Sequence, residues 1–209
     1  MTKTKQWIKI ILLISLIFLP GIVNAEILYN NLSSSNNGAD PLTSFFGPPL
    51  FDSFSTGSSG FNLSDVKLLL EGNSSSSGSF SVAIYSDSST APGTLQYTID
   101  TISDSTLSSS LSVVDFTFAS PDALAANTRY WLVLNSTNNS SAYWGWSDDQ
   151  SALGVAGEYF GHGSGVYPNT GGPYQMELSS NSAVPEPTTI LLLSLGLIGL
   201  AGVRRKLKK

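Results

Sequence analysis

Hydrophobic and polar positions alternate with a period of two through most of the chain, and no helical period interrupts them between Glu26 and Val184. In "DVKLLLE", Val66, Leu68 and Leu70 share one face. In "SFSVAIYS", Phe80, Val82 and Ile84 share one, with Ser79 and Ser81 opposite. "LQYTI" alternates at Leu95, Tyr97 and Ile99, and "SVVDFTF" at Val114, Phe116 and Phe118, with Asp115 and Thr117 outward. "PYQMEL" alternates at Tyr174, Met176 and Leu178. "RYWLVL" is apolar on both faces, which places it centrally in a sheet. Adding Ile27–Asn30, the Phe51–Thr56 region and Tyr143–Ser147 predicts about nine strands.

Clusters of Gly, Ser, Asn, Asp and Pro separate these runs, among them "EGNSSSSGS", "SDSSTAPG" and "NSTNNSS". Such residues tolerate left-handed backbone or bond to it locally, so they read as turns. Many short strands with regular turn signals predict an all-β fold, a single jelly-roll-like β-sandwich. In "SPDALAANTRYWLVL" a short turn is expected to set Leu124 against the core before Asn127 and Thr128 lead into the next strand.

The two ends break the pattern. Lys3, Lys5 and Lys9 flank the start of an apolar run, Ile10–Leu19, that Pro20 and Gly21 close. Val23-Asn24-Ala25 then supplies small residues at a cleavage site, so residues 1–25 read as a secretory signal peptide cut between Ala25 and Glu26. At the other end, a second apolar run covers residues 188–203, just short of the roughly 17–25 residues that span a bilayer. Arg204, Arg205, Lys206, Lys208 and Lys209 follow it and are held cytoplasmic by the positive-inside rule. Both ends therefore start or finish on the cytoplasmic side, and the β-rich span, residues 26–182, lies outside. Pro185 and Pro187 keep the backbone before the apolar run extended.

The order Val184-Pro185-Glu186-Pro187, apolar helix, basic cluster resembles the PEP-CTERM sorting signal, over residues 183–209. The resemblance implies recognition by an exosortase, a membrane processing enzyme of bacteria with an outer membrane. It also implies transient insertion in the inner membrane, cutting near the motif, and a final place at the cell surface or outside the cell, often in an exopolysaccharide matrix. The β-rich span is in turn similar to the choice-of-anchor R family, through "SSGFNLSDVKLLL", "GSFSVAIYSDSSTAPG", "LAANTRYWLVL", "VAGEYF" and "GPYQMEL". That likeness implies an exported β-sandwich with no established enzymatic activity and carries no catalytic residue; the role expected of the chain is structural or adhesive, in association with exopolysaccharide.

Charge narrows the partners. The 209-residue chain has a formal net charge of −5, but its basic residues crowd the two ends. Between Glu26 and Val184 only Lys67 and Arg129 oppose fourteen acidic side chains, a net −12. Such a surface cannot neutralise phosphates, which excludes nucleic acid. The absence of cysteine excludes disulfides, thiolate metal sites and a cysteine nucleophile. A span of this length buries roughly 70% of its unfolded surface, enough for a core without staples.

Candidate chemistry is sparse. His162 is the only histidine and sits in "GHGSG", which reads as an exposed flexible turn; no G-x-S-x-G elbow accompanies it. No catalytic residue is assigned, no cofactor is expected, and the chain reads as a non-enzyme. Asp148, Asp149 and Glu158 offer hard oxygen ligands for a structural Ca²⁺, without the D-x-D-x-D-G spacing of a calcium loop. Trp144 and Trp146 project from one strand face with Tyr143 on the other, while Tyr159, Phe160 and Tyr167 fall in the next loop. An exposed indole pair there would stack on sugar rings, the alternative function; a buried pair would fill the core. Asn-x-Ser/Thr triplets begin at Asn31, Asn62, Asn73, Asn135, Asn138 and Asn139, which makes them candidate glycan acceptors.

Overall fold

The computed structural model describes residues 25–43 and 47–180, together with the backbone but not the side chains of 119–121. Residues 1–24 of the expected signal peptide, the Pro-Glu-Pro strip, the apolar run 188–203 and the basic tail lie outside the described residues. One compact unit runs over Ala25–Asn181. Its strands are β1 (Ile27–Asn30), β2 (Gly38–Pro41), β3 (Leu50–Ser55), β4 (Phe61–Glu71), β5 (Ser79–Asp87) and β6 (Pro92–Ser103). They continue as β7 (Ser112–Leu124), β8 (Arg129–Asn138), β9 (Tyr143–Trp146), β10 (Tyr159–His162), β11 (Gly165–Pro168) and β12 (Met176–Ser179). Two 3₁₀ turns, Asp104–Thr106 and Asn169–Gly171, complete the described residues.

Among the described residues twelve strands replace the expected nine or so. All nine expected runs are strands; β2, β10 and β11 are the additions. Their sequences, "GADP", "YFGH" and "GVYP", are short and broken by Gly or Pro, so they carry no alternation to read. They are strands because neighbours supply their hydrogen bonds: β2 pairs with β9, and β10 lies between β3 and β11.

The strands form two antiparallel sheets around one core, a β-sandwich. The first has the order β1-β12-β4-β9-β2, with β7 on the free edge of β4. The second has the order β11-β10-β3-β8-β5-β6. One edge of β4 serves two partners end to end, β12 along Asp65–Leu68 and β9 at Leu70 and Glu71. Gln175 occupies the junction: its N–H donates to Gly145 O at 2.7 Å, and its carbonyl accepts from Leu69 N at 3.1 Å.

The core follows the alternation closely. Val66, Leu68, Leu70, Phe80, Val82, Ile84, Tyr174, Met176 and Leu178 are all fully buried. Ahead of Val66 the phase changes, to Phe61 and Leu63, because the register slips between Leu63 and Asp65. β8 is central and buried on both faces, as its composition requires. Leu132 and Leu134 enter the main core, while Trp131 and Val133 join Phe51 in a smaller cluster on the other face. The Trp131 indole N–H finds Asp87 Oδ1 at 2.8 Å, so its polar edge is satisfied too.

Two expectations are corrected here. Leu95 does not share the inner face with Tyr97 and Ile99; it is 51% exposed, because β6 is bulged between Leu95 and Tyr97 and the side chain is turned outward. The turn before Leu124 is instead a continuation of β7, which delivers Leu124 to the core directly. The reversal falls at Asn127, with φ +50°, and Tyr130 Oη closes it by accepting from Ala125 N at 2.9 Å.

Candidate functional site

The tryptophan pair is the first site the sequence offers, and the fold takes it inside. β9 is held between β4 and β2, so one of its faces is the core. Trp144 is fully buried, stacked on Tyr174 at 4.5 Å and 13°, with its indole N–H donating to Gln175 O at 3.0 Å. Trp146 is half-buried against the same core and lies so close to Gly38 that a Cβ there would meet the ring at 2.9 Å. Tyr143 faces out, as the alternation required. The exposed indole pair is thus corrected: Tyr174 covers the stacking face of Trp144, and no ring of that residue reaches a sugar.

The acidic trio is likewise dispersed into separate tasks. Glu158 is buried and committed to β3 and β8. It accepts from Ser53 Oγ at 2.5 Å, from Ser55 Oγ, and from Arg129 Nε at 2.8 Å. Asp149 accepts from Ser34 Oγ at 2.9 Å and from the hydroxyl and amide of Ser151 at 2.6 and 2.9 Å. These bonds hold its carboxyl below the ordinary carboxylate range. Asp148 is exposed and uses its backbone N–H on Asn37 Oδ1 at 3.2 Å. Among the described residues no three His, Asp or Glu side chains gather as metal ligands.

His162 sits at the end of β10, opposite Leu50 and Gly165, and its ring lies 5.4 Å from that of Tyr167. The expected exposed turn is therefore a paired, half-buried strand position. Tyr159, Phe160 and Tyr167 belong to the β10–β11 hairpin rather than to a loop. A shallow groove of about 300 Å³ lies elsewhere, lined by Asn30, Ser34, Asp149 and Ser151 with Ile27 and Leu153 at its rim.

The structure also sorts the Asn-x-Ser/Thr triplets. Asn31 is buried, and both ends of its amide are spent, Nδ2 on Tyr174 O at 3.0 Å and Oδ1 on Met176 N at 2.8 Å. Asn62, Asn73, Asn135, Asn138 and Asn139 are exposed. A feature with no sequence signal organises the loops near some of them. Buried Asp104 accepts from Ser76 Oγ, Ser140 Oγ, Ser141 Oγ and Ser141 N at 2.6–3.1 Å. It thereby draws two serine-rich runs that lie far apart in the chain to one end of the sandwich.

The two ends of the domain meet at another point. Glu26 N donates to Ser180 Oγ at 3.0 Å and Ser180 N to Glu26 O at 2.9 Å, extending the β1–β12 pairing to the last described residues. The segment that follows Ser180 leads into the tail. Residues 183–206 match the PEP-CTERM protein-sorting motif. The match includes Val184, Pro185, Glu186, Pro187, Arg204, Arg205 and Lys206, and the motif is a substrate signal for exosortase processing. It implies an exported protein carried across the membrane to the cell surface. No curated protein matches the chain. Among the described residues no helix is long and apolar enough to cross a membrane; the run 188–203 lies outside them.

Proposed function

We propose that the chain is a non-enzymatic surface or matrix component: an exported β-sandwich of the choice-of-anchor R type, released by an exosortase, with a structural or adhesive role alongside exopolysaccharide. The sorting motif at residues 183–206 carries the reading. The signal-peptide pattern of residues 1–25 supports it, since both ends then direct the domain outward. The interior supports it as well. The buried carboxylates Asp104 and Glu158 and the serines around them are hydrogen-bonded to one another and to backbone, which is how a domain without disulfides fixes its loops.

Intact mass and fractionation of the protein from its native host test this directly. The expected product lies outside the cell and lacks both residues 1–25 and the segment beyond Pro187. Any added sugar maps to the exposed asparagines or serines and not to Asn31. A chain retaining Arg204–Lys209 in the inner membrane would overturn the release step and leave a tethered periplasmic domain.

A further inference from the structure

Six Asn-x-Ser/Thr triplets offer acceptors for an N-linked sugar, but a transferase must reach the asparagine amide and the hydroxyl two residues on together. The fold denies that to all of them except the triplet at Asn73. Asn31 is buried with both ends of its amide bonded. Asn62 stands on β4, and its hydroxyl partner Ser64 is fully buried. Asn135 lies within β8, paired with Ser81 of β5, and its partner Thr137 shares a hydrogen bond of 2.9 Å with Ser79 Oγ. Asn138 donates its amide to Ser77 O at 3.0 Å, and its partner Ser140 is buried, donating to Asp104 Oδ1 at 2.6 Å. Asn139 depends on Ser141, whose hydroxyl donates to Asp104 Oδ2 at 3.1 Å.

Asn73 differs on every count. Asn73, Ser74 and Ser75 are all exposed, in the loop between β4 and β5. Among the described residues neither Asn73 Nδ2 nor Ser75 Oγ makes a hydrogen bond, so the amide nitrogen and the hydroxyl are both open. Asn73 Oδ1 accepts from Ser75 N at 2.9 Å, a local turn that sets the amide beside the residue whose hydroxyl must be read with it. The loop is pinned on both sides of the acceptor: Gly72 N donates to Ser108 O at 2.8 Å, and Ser76 Oγ to Asp104 Oδ2 at 2.8 Å. An anchored loop tip, with no ladder to open, therefore presents the triplet. Asn73 is also the one acceptor of the six with an acidic residue two positions before it, Glu71, the half-buried last residue of β4. That carboxylate is a charged handle next to the acceptor, by which a cationic group of the transferase can hold the loop.

We propose that Asn73 carries an N-linked saccharide in the exported protein. The proposal rests on the reading of the chain as exported, which puts the domain outside the cytoplasm, beyond the reach of nucleotide-activated sugars. The donor is therefore a saccharide carried on a lipid pyrophosphate. Asn73 Nδ2 bonds to the anomeric carbon of the sugar. The bond from that carbon to the pyrophosphate oxygen breaks, the lipid pyrophosphate leaves with the electron pair, and Nδ2 gives up one proton to a base of the transferase. The side chain stays an amide, so Oδ1 keeps its bond from Ser75 N. The sugar stands at the end of the sandwich where Asp104 gathers the serine-rich runs, a bulky hydrophilic group on a surface loop.

The test is peptide mapping of the protein isolated from its native host, with a fragmentation method that leaves sugars on their side chains. The expected result is a saccharide on Asn73 and none on the other triplets. Ser75→Ala removes a hydroxyl that bonds to nothing in the described domain, and should abolish the sugar while the domain stays folded. Glu71→Gln removes the charged handle and should lower the occupied fraction several-fold. An exported, folded protein whose Asn73 is bare overturns the proposal and leaves export standing. A saccharide found only on the loop serines, and retained in Asn73→Gln, overturns it too, because that linkage runs through oxygen. A chain found only inside the cell overturns the export reading and this proposal with it.

Discussion

Trp144 shows how one side chain can read as ligand-binding in sequence and as core in the fold. It is buried, stacked on Tyr174 and hydrogen-bonded to Gln175 O. Trp144→Ala removes a large buried ring and should cost about 3–5 kcal/mol, read as a lowered urea midpoint. Loss of affinity for a sugar with stability unchanged would contradict this placement. Asp104 acts through hydrogen bonds. Burial pushes its carboxyl up, but donation from Ser140 Oγ, Ser141 N and Ser76 Oγ outweighs burial and holds it below the ordinary value. With the folded value depressed, the stability it contributes is present at neutral pH and lost as pH falls through the acid range. Asp104→Asn should destabilise the domain by about 1.5–3 kcal/mol at neutral pH and flatten the acid limb of the stability profile. Equal acid sensitivity in parent and variant would show that Asp104 does not control that limb.

At the scale of the elements, the sheet edges stand out. β6 and β7 are long, and among the described residues each has one unpaired side, a template for pairing with another chain. Lysine is the usual guard of such an edge, yet only Lys67 and Arg129 lie between Glu26 and Val184, and both are tied to acids within the fold. Bulges take that role. The register of β6 against β5 shifts at three places, and that of β7 against β4 shifts opposite Leu63 and Asp65. Each bulge twists the edge and interrupts the hydrogen-bonding row. Deleting Gln96, which stands between the paired residues Leu95 and Tyr97, removes one bulge and regularises the ladder. The expected outcome is concentration-dependent self-association by sedimentation. A variant that stays monomeric while folded would show that the bulge does not guard the edge. None of this is legible in the sequence, where "LQYTI" reads as an uninterrupted alternation.

For the whole molecule, the pairing of Glu26 with Ser180 matters most, because it brings both linkers to one place on the domain. The expected cuts, after Ala25 and near Pro187, fall outside every described strand. The processed product should therefore unfold at the same midpoint as a chain that keeps its tail. A lowered midpoint after processing would mean that the tail contributes to the fold.

The sequence by itself determined the class of the fold, the position of β8 at the centre of its sheet, most of the core and the sorting tail. These depend on local pattern: alternation fixes which side chains share a face, and a linear motif is read as a linear motif. Tertiary structure alone decided the rest. Whether Trp144 faces water or core depends on which strand covers it, and here β9 is covered through Tyr174. β2 and β10 exist because strands distant in the chain supply their hydrogen bonds, and β11 folds back on β10. Asp52 and Asn169 lie far apart in the chain, and only the fold removes both from water. Polar side chains owe their chemistry to such neighbours, and neighbours distant in sequence leave no periodic trace along it.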